Sequence, residues 1–164
     1  MAIPVSEVLS HWSHFFQSFA LSSNEFYNEA EKIIQAHKMP NTEVKRVQLK
    51  EGGMFSSNRE YLRIKHGNLV FDVCAAPFGT DFFISWWLYE TEGTATSLLK
   101  NTKIGGFLKA REQSRTFFQA DEESMFRSCV HECILEAVEK VTEGKADWKL
   151  TQEEKAIKPH LVEA

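Results

Sequence analysis

Cys74, in "FDVCAAPFGT", is the first residue that could do covalent chemistry. A nucleophilic thiol needs partial exposure beside a base or a helix N-terminus. Cys74 instead sits in an apolar run between Val73 and Ala75, where a buried structural thiol is expected. A cysteine-dependent enzyme would have to pair it with His131 from elsewhere in the chain. Cys129, His131 and Cys133 form a C-x-H-x-C pattern. On a helix, neighbours two residues away point about 200° from the histidine, so one helix cannot wrap a metal with all three. The two cysteines are four apart and share a face, which reads as core thiols beside a boundary histidine. His11 and His14, three apart, would share a helix face without a third ligand to complete a metal site. Asp72 is a carboxylate inside an apolar strand; pairing with Arg63 or Lys65 across a hairpin would satisfy it. Phosphate-binding glycine loops, metalloprotease and zinc-finger spacings and hydrolase elbows do not occur, so no catalytic residue, metal or cofactor is expected.

Charge offers a second chemistry. The net charge is −4 and the pI about 5.9, yet residues 43–66 carry six cations against three carboxylates and residues 100–115 five against one. Arg59, Arg63 and Lys65, interleaved with Tyr61 and joined by Lys109 and Arg111, could follow a phosphate backbone. The acidic whole and the lack of a nucleic-acid motif oppose that reading. Residues 120–143 are acidic, so the surface is electrically polarised. No run approaches the roughly 18 to 20 apolar residues that cross a bilayer, and the start lacks the pattern of a leader. A membrane surface is not an expected partner. Three cysteines, an odd number, fit a reducing compartment, so a cytoplasmic location is expected.

The elements that would position these groups follow from periodicity. Val5, Val8, Leu9, Trp12, Phe15, Phe16 and Phe19 recur at three- and four-residue steps, which predicts an aromatic amphipathic helix. Ser22 with Glu25 forms a capping box for a second helix carrying Phe26, Ala30, Ile33 and Ile34, ended at Met39-Pro40-Asn41. Strands are predicted in 42–51, 58–67, 69–76 and 82–89, with Gly67-Asn68 as a tight turn and residues 77–81 as a longer hairpin loop. Residues 91–119 form an irregular basic segment. Asp121 is the expected N-cap of a long helix with an apolar stripe from Phe126 to Val141, stopped near Gly144. Residues 145–164 read as a short tail in which Thr151 caps a last turn.

The 164 residues therefore predict a single α+β domain: an antiparallel meander of three or four strands packed against N-terminal helices and a long C-terminal helix. In "FDVCAAPFGTDFFISWWLYE" both strand faces are apolar, so both must be covered. Helices supply one cover. The other must be the irregular segment, a second copy of the chain or a ligand. The expected function is a non-enzymatic interaction module with a protein partner, self-associating as a homo-oligomer, with Trp12, Phe16, Trp86 and Trp87 as binding residues. The architecture resembles, at the level of fold alone, small bacterial adaptors and chaperones that dimerise. Nucleic-acid binding through Arg59, Arg63, Lys65, Lys109 and Arg111 is the alternative, and catalysis by Cys74 the second.

Overall fold

The computed structural model of the chain describes residues 7–50, 58–91 and 114–157. Five strands form one antiparallel sheet: β1 (Val8–Phe16), β2 (Thr42–Lys50), β3 (Asn58–His66), β4 (Leu69–Phe78) and β5 (Asp81–Glu90), in the order β1-β5-β4-β3-β2. Helix α1 (Ser23–Ala36) connects β1 to β2, which lie at opposite edges of the sheet. Helix α2 (Phe117–Val141) packs beside α1, and a 3-10 turn (Ala146–Trp148) and a short helix α3 (Gln152–Lys155) follow.

The first element is a strand and not the predicted helix. Trp12 and Phe16 are four apart, an even number, so they satisfy both a helical stripe and one face of a strand. Composition decides: "VLSHWSHFF" is made largely of serine, histidine and aromatic residues, which are weak helix formers, and the aromatic rings pack well on a pleated surface. A register shift between Val8 and Ser10 marks a bulge that blurs the alternation. The correction raises the strand count to five and moves His11 and His14 to opposite faces.

The other elements follow their local chemistry. Ser22 caps α1 with the reciprocal Glu25 box, and Thr151 caps α3 with Glu154. Gly67 adopts φ 56° at the β3–β4 turn and Gly79 φ 62° between β4 and β5. The β4–β5 loop is only Gly79-Thr80, because Pro77 and Phe78 extend β4 and pair with Phe82 and Asp81. Helix α2 starts earlier than Asp121: Thr116 is its N-cap and Gln119 closes the capping box.

The inner face of the sheet carries Trp12, Phe16, Leu62, Ile64, Phe71, Val73, Phe82, Ile84, Trp86 and Leu88, all buried against α1 and α2. Each such side chain contributes about 1.5 to 3 kcal/mol relative to exposure. The C-terminal segment clasps this layer. Trp12 Nε1 donates to the Glu154 carbonyl at 2.7 Å, and Trp148 Nε1 to that of Gln17 at 2.8 Å. Where β3 and β4 splay apart, the Tyr27 hydroxyl fills the gap, donating to the Glu60 carbonyl and accepting from the Ala75 N–H. Burial raises that phenol above its ordinary pKa. No helix among the described residues is long and apolar enough to cross a membrane.

Candidate functional site

Alternation sends the remaining side chains of β1, β3, β4 and β5 to the outer face, away from both helices. At its centre Asp72 is buried and accepts two bonds from Arg63, from Nε at 2.7 Å and from Nη2 at 2.8 Å. The Tyr89 hydroxyl adds a third at 2.7 Å. The bidentate fork stabilises the guanidinium and raises the Arg63 pKa, while burial and the nearby carboxylate raise that of Tyr89. Asp72 is thus a structural ion-pair centre, and the charge of Arg63 is spent inside the sheet.

Cys74, next on this face, is 1 % exposed. Burial pushes its thiol up, and Arg59 and Tyr61 beside it offset only part of that. His131 lies on the other side of the sheet, so it cannot serve Cys74 as a base. Its Nδ1 accepts from Trp86 Nε1 at 3.0 Å and its Nε2 donates to the Lys155 carbonyl at 2.7 Å. Those two bonds fix a neutral ring, and burial lowers its pKa.

Of the four aromatic residues expected to bind a partner, Trp12, Phe16 and Trp86 belong to the helix-covered core and present no surface. Trp87 is on the outer face, stacked on His11 with ring centroids 4.8 Å apart. The apolar surface lies elsewhere. At the β4–β5 hairpin end, Phe15 pairs with Phe83 across β1 and β5, and Phe78 shares their face; Phe15 is 44 % and Phe78 75 % exposed. On α2, Phe117, Phe118 and Met125 are 84 %, 69 % and 66 % exposed.

Arg59 and Lys65 are exposed at opposite ends of β3, Arg59 beside Tyr61 and Cys74 and Lys65 across from Val70, whereas Lys109 and Arg111 lie outside the described residues. No protein-family model, curated protein or solved structure matches the chain.

One assembly was not visible in the sequence. His37, the C-cap of α1, meets Cys129 and Cys133 on α2, with their Nδ1 or Nε2 and Sγ atoms all within 4.8 Å of one another. Cys129 is partly exposed, Cys133 is buried, and its thiol is pushed up to about 12 by burial and by Cys129. The i, i+4 spacing of the cysteines was the available signal. The third member stands 92 residues from Cys129 and is brought there only by the packing of α1 on α2.

Proposed function

We propose that the chain is a protein-interaction module that self-associates through the Phe15, Phe83 and Phe78 corner of the outer sheet face. The carrying observation is that corner: three phenylalanines from three adjacent strands, two of them substantially exposed, whereas Trp87 and Tyr89 on the same face are at least partly covered and engaged with His11 and Asp72. Contiguous exposed apolar surface of this sort is characteristic of interaction sites. A second copy is the occupant favoured by charge. Strand β1 has no acidic or basic residue other than histidine, and Asp81 at the hairpin end is held by the Ser18 N–H at 2.7 Å. Two identical corners can therefore meet about a twofold axis without opposing like charges.

Sedimentation velocity over a concentration series tests this. The wild-type chain is expected to sediment as a dimer at the higher concentrations, and a Phe15→Ser/Phe78→Ser variant as a folded monomer. A wild-type chain that stays monomeric throughout, or a variant that dimerises equally well, overturns the proposal.

A further inference from the structure

We propose that His37, Cys129 and Cys133 form a binding site for a thiophilic divalent ion, with zinc the natural occupant of one imidazole and two thiolates. Helix α2 supplies the two sulfurs from one face, one turn apart, and the end of α1 supplies the nitrogen. In a tetrahedral zinc site, bonds of about 2.3 Å to sulfur and 2.0 Å to nitrogen put the donors roughly 3.5 to 3.8 Å apart. The donors already lie within 4.8 Å, and His37 Nδ1 is 4.0 Å from Cys129 Sγ, so closure needs at most about 1 Å of side-chain movement.

The orientation of His37 separates this cluster from a chance meeting of side chains. Its Nε2 lies 3.1 Å from a carboxylate oxygen of Glu136, also on α2. An ionised carboxylate only accepts, so in the neutral ring that ligates a metal it places the proton on Nε2 and leaves the Nδ1 lone pair facing the thiols. A carboxylate behind the ligating imidazole is the arrangement that orients and strengthens a metal-bound histidine. The site is reachable, because His37 is exposed and Cys129 partly so. It also borders a shallow cleft lined by Glu132, Glu136 and Glu139, whose charge, offset in part by Lys155, favours a cation. Binding releases the two thiol protons to solvent as the thiolates form. Three protein ligands leave the fourth position of a tetrahedral ion to water or an incoming donor.

The test uses the reduced, chelator-treated 164-residue chain, titrated with Co²⁺ as a spectroscopic stand-in and then with Zn²⁺. One equivalent of cobalt should produce a thiolate-to-metal charge-transfer band together with the ligand-field bands of a tetrahedral ion, and zinc should abolish both. Cys129→Ser and His37→Ala, neither at a core position, should keep the far-ultraviolet circular dichroism of the parent and weaken zinc by at least about tenfold. Glu136→Gln should weaken it by about 10- to 100-fold while preserving the cobalt spectrum. Cys74→Ser should change nothing. Absence of the charge-transfer band, its dependence on Cys74, or unchanged zinc affinity in folded His37→Ala would each overturn the proposal.

Discussion

The two exposed apolar patches among the described residues differ in their electrostatic surroundings. The sheet corner of Phe15, Phe83 and Phe78 adjoins a nine-residue edge strand without a single Asp, Glu, Lys or Arg. Phe117, Phe118 and Met125 line the first turns of a helix that also carries exposed Asp121, Glu132, Glu136 and Glu139. Juxtaposing two copies of that helix brings carboxylates together, which costs free energy at contact distance even in water. On the self-association proposed above, the same apolar exposure has different consequences: two uncharged corners can meet, whereas two acidic helix faces oppose each other. Fixed charge around a patch selects the partner more than its apolar area does.

The contrast holds only while the sheet beneath the corner is rigid, and the largest effects come from breaking that support. Trp86→Ala removes a fully buried indole from the inner face, three residue pairs along the strands from Phe15, and leaves the His131 acceptor unpaired; it should cost about 3 to 5 kcal/mol in urea unfolding. Asp72→Ala strands Arg63 and the Tyr89 hydroxyl. About 3 kcal/mol is expected, the lower end for a broken buried pair, since the Arg63 side chain keeps 24 % of its exposure. A loss below 1 kcal/mol in either variant would mean that the sheet beneath the corner is not held by the groups assigned to it.

A smaller effect is readable as pH dependence. The fold holds His131 neutral, with a pKa below the ordinary 6.5. As pH falls through 6.5 the unfolded chain takes up a proton that the folded chain refuses, so stability declines below that point. His131→Gln can accept from Trp86 and donate to the Lys155 carbonyl without titrating. Urea unfolding between pH 7.5 and 5 should be less pH-sensitive in this variant than in the parent; identical slopes would contradict the neutral-ring assignment.

Much of the framework was legible because local chemistry and global packing agree. The Ser22 and Thr151 caps, the Gly67 turn, the four strand segments β2 to β5 and the apolar stripe of α2 all follow from short-range patterns. A cross-hairpin partner for Asp72 was readable only as Arg63 or Lys65, from two strands that a tight turn must place side by side; the register selects Arg63. Strand β1 was not, because the four-residue spacing of Trp12 and Phe16 fits either period and the bulge hides the alternation. That one misreading made Trp12 and Phe16 look like leftover helix surface. His37 escaped notice for a different reason: its partners are distant in sequence, and nothing local to "QAHKMP" marks it.

The mildest substitutions separate the two patches most cleanly. Phe15→Ser and Phe118→Ser should each change stability by no more than about 0.5 kcal/mol, as surface replacements do. Only the former should weaken self-association, read as the concentration at which the sedimentation coefficient rises. Equal weakening by both would erase the distinction between corner and helix.

Hydrogen exchange by mass spectrometry, compared at low and high protein concentration, tests the central claim most directly. Concentration-dependent protection should appear in peptides covering residues 13–16 and 76–84 and be absent from residues 117–125. Protection confined to 117–125, or none at any concentration, would contradict self-association through the sheet corner.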